Sequence, residues 1–106
     1  MKKGDIIVLP FPFTDLSGSK YRPAVVLIVL KNDVTVAFVS TQLSTIELSD
    51  IILVPDETNG LKKESVLKVA KIATIRKDLV TGLLGEINET EAIRLDQILK
   101  ELFKLD

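Results

Sequence analysis

Apolar and polar residues change their rhythm once along this chain, near residue 86. Before that point, short runs rich in Val and Ile are separated by Gly, Pro, Asn and Asp. After it, apolar positions recur every three or four residues, the spacing of a helix face. The first run predicts a strand over residues 5–9, entered at Gly4 and ended by Pro10, whose missing N–H interrupts a ladder. Residues 11–21 are dense in Pro, Ser, Gly and Asp and read as a loop. Arg22-Pro23 then opens an unbroken apolar stretch, 24–30, whose β-branched content suits a strand covered on both faces. Lys31-Asn32-Asp33 is a short turn of the kind that joins antiparallel strands, and residues 33–40 form the return strand. The hydroxyl-rich segment 41–49 reads as a loop, 50–54 as a short strand stopped by Pro55, and 56–64 as a polar connection turning at Asn59-Gly60.

Residues 65–75 predict a further strand with an irregularity. Leu67 and Val69 fall on one face, Ile72 and Thr74 on the other, and Lys71 breaks the alternation. A β-bulge near Ala70-Lys71 produces such a switch. A last short strand spans 83–87 after Gly82. Asn88 is then a good N-cap, with Glu91 three residues later as in a capping box. Ala92, Leu95, Ile98, Leu99, Leu102, Phe103 and Leu105 fall within an arc of about 160° at helical spacing. They predict one helix laying a single apolar stripe on the β-body. Ile93 falls outside the stripe.

Short strands joined mostly by tight turns leave no helical crossovers for parallel pairing, which excludes a doubly wound sheet. The expected architecture is mainly β, a small antiparallel barrel or strongly bent sheet with a C-terminal helix, in one domain over residues 1–106. The chain has neither Cys nor His. Disulfides, thiolate nucleophiles and Ser–His or Cys–His catalysis are therefore excluded. A zinc site would have to use carboxylates alone, so no cofactor is expected. With 14 basic and 15 acidic side chains, the balance argues against a broadly basic coat for nucleic acid and leaves a local basic patch open. Charge is divided, however: residues 1–85 carry 11 basic and 9 acidic groups, and 86–106 carry 3 and 6. The longest apolar run is far short of the ~20 residues of a membrane span, and no signal peptide is read at the N-terminus, so a cytoplasmic domain is expected.

The block Gly4-Asp5-Ile6-Ile7-Val8-Leu9-Pro10-Phe11-Pro12-Phe13-Thr14-Asp15, followed by Ser17-Gly18-Ser19-Lys20-Tyr21-Arg22-Pro23-Ala24, is the most informative stretch. It resembles the opening of the MazF/PemK family of toxin–antitoxin endoribonucleases, in which a Gly-Asp strand, a loop and an Arg-Pro strand start come in this order. The resemblance continues through Val39-Ser40-Thr41-Gln42, Asn59-Gly60-Leu61, Ile72-Ala73-Thr74-Ile75 and the terminal helix. It implies an SH3-like barrel that forms a homodimer, is held by a cognate antitoxin, and cleaves single-stranded mRNA without a metal. It also implies an Arg at the Arg-Pro position and a hydroxyl at the end of the third strand. Those positions match Arg22 and Ser40, with Thr41 beside it as the alternative hydroxyl.

The residues support that chemistry on physical grounds. RNA carries its own nucleophile, the 2′-OH, so a protein need only align it with the scissile phosphorus and stabilise charge on the phosphate oxygens. Arg22 suits the second task, since a guanidinium fork binds two phosphate oxygens and stays charged. Ser40 or Thr41 can add a hydrogen bond, and Asp15 and Glu47 are candidate proton acceptors. Candidate RNA contacts are Phe11, Phe13, Thr14, Lys20 and Tyr21 on the first loop, with Gln42, Lys71 and Arg76. Phe11 and Phe13 equally suit anchoring that loop or a dimer interface. Lys62, Lys63, Lys68 and Lys77 complete a set of basic residues that is either a phosphate-tracking surface or a scatter of solvated charges. A protein-targeting module on the same barrel, like the gyrase-poisoning toxins, or an inactive relative that binds antitoxin or DNA, are the rival readings.

Overall fold

The computed structural model describes residues 1–10 and 21–106. Six strands form one antiparallel sheet: β1 (Asp5–Pro10), β2 (Tyr21–Val29), β3 (Asp33–Ser40), β4 (Asp50–Leu53), β5 (Ser65–Arg76) and β6 (Gly82–Glu86). A 3₁₀ turn, Lys77–Leu79, links β5 to β6, and helix α1 (Glu89–Phe103) follows. The spatial order is β4-β5-β3-β2-β1-β6. The sheet curls into a half-barrel, as the pattern of short strands and tight turns predicts. No helix among the described residues is long and apolar enough to cross a membrane.

Strand alternation sorts the core onto two faces. Ile6, Val25, Leu27, Ala37, Val39, Leu67 and Val69 lie on the face that meets α1, where Leu95 and Ile98 are buried against them. Their neighbours Ile7, Leu9, Ala24, Val26, Val34 and Val36 form a second cluster on the other face, with Phe38, Ile75 and Val80 packed on it. Burial on both faces accounts for the apolar run from Ala24 to Leu27, whereas Ile28, Val29 and Leu30, expected to be covered as well, are exposed at and just past the end of the strand.

Register breaks bend the sheet. One lies between Ile6 and Ile7 in the β1–β6 ladder, one between Val26 and Ile28 in β2–β3, and one between Ala37 and Phe38 in β3–β5. The last is the predicted bulge: Ala37 pairs with Ile72 but Phe38 pairs with Lys68, leaving residues 69–71 as extra length. Its effect differs from the sequence expectation. The bulge does not send Ile72 away from Leu67 and Val69; it resets the parity so that Ile72 packs on the same cluster.

Helix α1 begins as predicted. The Asn88 side chain accepts the Glu91 N–H at 2.7 Å, and the Glu91 carboxylate accepts the Asn88 N–H at 2.9 Å. The apolar stripe is only partly used. Leu95 and Ile98 are buried and Ala92 and Leu99 partly so, whereas Leu102, Phe103 and Leu105 are exposed. The helix outruns the surface offered by β4 and β5, and Lys104 ends it in the left-handed region at φ 56°.

The connection between β4 and β5 is tied down by Asn59, which is 1% exposed. Its Oδ1 accepts the Asp56 and Leu61 N–H groups, and its Nδ2 donates to the Val54 carbonyl at 2.9 Å. This connection lies on β6 through two glycines. Gly60 has φ +68°, and a Cβ on Gly85 would sit 2.1 Å from the Thr58 carbonyl oxygen. At the start of β1, burial pushes the Asp5 carboxyl up, but hydrogen bonds from the Lys2 ammonium and backbone N–H outweigh it and hold the group below the ordinary aspartate range. Lys2 is correspondingly held protonated, by Asp5 first and then by Glu86.

Gly85→Ala is expected to cost about 1–3 kcal/mol, seen as a lower urea midpoint at unchanged slope. Gly82→Ala, with nothing within 4 Å of the added methyl, is expected to be neutral or slightly stabilising. Because folding lowers the Asp5 pKa, its ionised form favours the folded state above the ordinary value of 3.8, and that contribution fades as pH falls through the folded-state value. Urea titrations from pH 6 to about pH 2 should therefore show a shallower acid loss of stability in Asp5→Asn than in the wild type.

Candidate functional site

The site forms where β2 starts and β3 ends. Arg22 is the second residue of β2 and pairs with Leu9 of β1. Ala24 pairs with Phe38, so carrying that register two residues further brings Arg22 level with Ser40. Alternation also puts both on one face. Val39 belongs to the core under α1, so Phe38 and Ser40 point the other way; Ala24 lies in the opposite cluster, and Arg22 shares its face. The Arg-Pro dipeptide contributes directly, since Pro23 removes a donor beside the charged residue and restricts Arg22 to an extended backbone.

An open cavity of about 480 Å³ occupies this face. Arg22, Ser40, Thr41, Gln42, Glu47 and Lys71 line it together with Phe38, Val39, Thr45 and Lys68. Both candidate hydroxyls, Gln42, Lys71 and one of the two candidate carboxylates are thus brought to Arg22. Ser40 Oγ accepts the Gln42 N–H at 3.1 Å, which orients its hydroxyl at the end of β3. Ion pairs among the described residues tie up Lys2, Lys3, Lys68 and Arg76, and none of these pairs involves Arg22. An arginine on a concave wall, in no ion pair among the described residues, has donors to offer an anion.

Two other candidates lie elsewhere. Arg76 is at the opposite end of β5, paired across the ladder with Asp33 and hydrogen-bonded to Asp78. Tyr21 is exposed beside Pro10 at the first position of β2 and does not line the cavity. Phe11, Phe13, Thr14, Asp15 and Lys20 fall outside the described residues. The cavity also contains residues that the sequence did not single out, Phe38 and Thr45, and it gives Lys68 a definite place. Lys68 alternates with Leu67 and Val69 as a solvent-facing residue would, but the structure places it against Asp50, which accepts its Nζ hydrogen bond at 2.7 Å.

Comparison with known proteins agrees with this architecture. The family model for PemK-like, MazF-like toxins of type II toxin–antitoxin systems matches residues 2–103. The chain belongs to that family. Among solved structures, it is similar to the Mycobacterium tuberculosis toxin MazF-mt6, with TM-score 0.77 and 21% identity over 96% of this chain and 98% of that one. An endoribonuclease in complex with its cognate antitoxin from a mycobacterial species matches at TM-score 0.75 and 19% identity, covering 100% of this chain and 97% of that one. A further mycobacterial endoribonuclease matches at 0.73 and 18% identity, covering 99% and 92%. At these identities the structures speak for the fold. No curated protein sequence gives a significant match.

Proposed function

We propose that residues 1–106 act as one toxin domain, an endoribonuclease that cuts single-stranded mRNA by attack of the 2′-OH on the adjacent phosphorus. The observation that carries this reading is the convergence of Arg22 and Ser40, from neighbouring strands, on one cavity. Arg22 stabilises the charge that builds on the phosphate oxygens, and the Ser40 hydroxyl holds one of those oxygens. The 2′-OH proton passes to the Glu47 carboxylate as the O2′–P bond forms. The P–O5′ bond breaks, and the departing 5′-oxygen takes a proton from solvent. The products are a 2′,3′-cyclic phosphate and a 5′-OH, and no step calls for a metal or cofactor.

Gln42 and Lys71 supply further contacts to the RNA from the cavity wall. Phe11, Phe13, Thr14 and Lys20, which precede β2 in the sequence, and Tyr21 at its first position act as further RNA contacts, the aromatic rings stacking on bases. Arg76, remote from the cavity, would meet only a strand of RNA that continues along β5. The protein works as a cytoplasmic homodimer restrained by a cognate antitoxin, in keeping with the antitoxin complex of the mycobacterial relative.

Incubation of the purified protein with a long single-stranded RNA in EDTA tests this reading. Cuts should recur at short sites and leave cyclic phosphate ends. Arg22→Ala should lower kcat about 10²–10³-fold. Ser40→Ala should lower it about tenfold, the worth of one hydrogen bond to a charged group. Thr41→Ala should cost less than Ser40→Ala, because Ser40 ends β3 level with Arg22 whereas Thr41 lies past the strand end. Intact RNA at high protein concentration would leave a binding module on the same fold.

A further inference from the structure

Lys68 stands between Leu67 and Val69, both fully buried under α1, so its stem leaves the sheet on the cavity face. Its side chain is only 12% exposed, and that of its cross-strand neighbour Asp50 is 2% exposed. An ammonium so enclosed needs acceptors, and it has two: Nζ donates to Asp50 Oδ2 at 2.7 Å and to the Thr45 carbonyl at 2.8 Å. The same Oδ2 accepts the Glu47 N–H at 2.8 Å, while the Asp50 N–H donates to the Glu47 carbonyl at 3.0 Å. Both backbone polar groups of Glu47 thus close on Asp50, and Thr45 closes on Lys68. Thr45, Glu47 and Lys68 all border the cavity that holds Arg22 and Ser40. Stability alone does not call for such a pair, since well-packed apolar residues of similar volume often serve equally well.

We infer that Lys68 and Asp50 are positioning residues: jointly they clamp segment 41–49 and hold Glu47 at the cavity shared with Arg22 and Ser40. Lys68 acts through the loop, and its contribution to cleavage rests on the endoribonuclease reading. The clamp also explains how a nine-residue connection without regular structure supplies a defined wall.

Three variants test the clamp. Lys68→Met keeps the apolar stem and removes the ammonium, Lys68→Arg keeps a cation, and Lys68→Gln with Asp50→Asn replaces the ion pair by a neutral hydrogen-bonded one. Amide hydrogen exchange at Glu47 should accelerate at least ~10-fold in Lys68→Met, while the Val34 and Val36 amides stay within about twofold. Protection at Glu47 should return in Lys68→Arg and in the neutral pair. In RNA cleavage, Lys68→Met should lower kcat about 10–100-fold with KM changed less than about threefold, and Lys68→Arg should recover most of the loss. Unchanged exchange at Glu47 in Lys68→Met overturns the inference, as does an equal acceleration at Glu47, Val34 and Val36 that the neutral pair fails to reverse. A selective loss of protection with unchanged kcat overturns the catalytic part. If the wild-type protein leaves RNA intact, the endoribonuclease reading falls by itself, and the exchange arm still decides whether the pair holds the loop.

Discussion

Strand β5 carries two ladders of unequal length: the one with β4 ends at Lys68, and the one with β3 runs on to Arg76. Between Ser65 and Lys68 it serves both, with Lys68 opposite Asp50 on one side and Phe38 on the other. Beyond Lys68 it bulges by residues 69–71 before meeting Ala37 at Ile72. This break bends the sheet where the cavity opens, and it returns Ile72 to the core with Leu67 and Val69. Lys71, placed on the extra length, reaches the cavity from a position that regular pairing would have turned elsewhere. The cavity thus opens where the β4 ladder ends and the β3 ladder shifts its register.

Around that break the polar groups divide into two systems of different stiffness. Arg22 and Ser40 sit on adjacent strands held in register by the pairs Ala24–Phe38, Val25–Ala37 and Val26–Val36 and by apolar clusters on both faces. Thr45 and Glu47 depend on a few hydrogen bonds to Lys68 and Asp50. Such a division suits the phosphodiester chemistry proposed above. The groups that meet developing charge gain most from rigidity, because preorganised donors need no rearrangement during the reaction.

Much of the fold was legible because its signals are local. Asn88 and Glu91 announce the helix start within four residues, and the parity change after Val69 announces the bulge within five. Arg22 and Ser40 were singled out by the family resemblance, since a charge before a strand and a hydroxyl at a strand end are ordinary features by themselves; register then aligned them. What escaped depends on partners distant in sequence. Nothing near Lys68 shows that Asp50, eighteen residues earlier, faces it across a ladder, so it read as one basic residue in a scatter. The helix stripe misled for a related reason: periodicity shows which side of a helix is apolar, not how far the opposing sheet extends under it. Leu102, Phe103 and Leu105 lie past that edge.

The segment between Ser40 and Asp50 enters and leaves the sheet at fixed points and is pinned mainly near its far end, at Thr45 and Glu47. Its first half can therefore drift in composition over evolutionary time without disturbing either ladder. On the proposed cleavage of RNA, descendants of one ancestral toxin could diverge in the nucleotides they favour by rewriting a few residues there, while inheriting the guanidinium and its neighbouring hydroxyl unaltered.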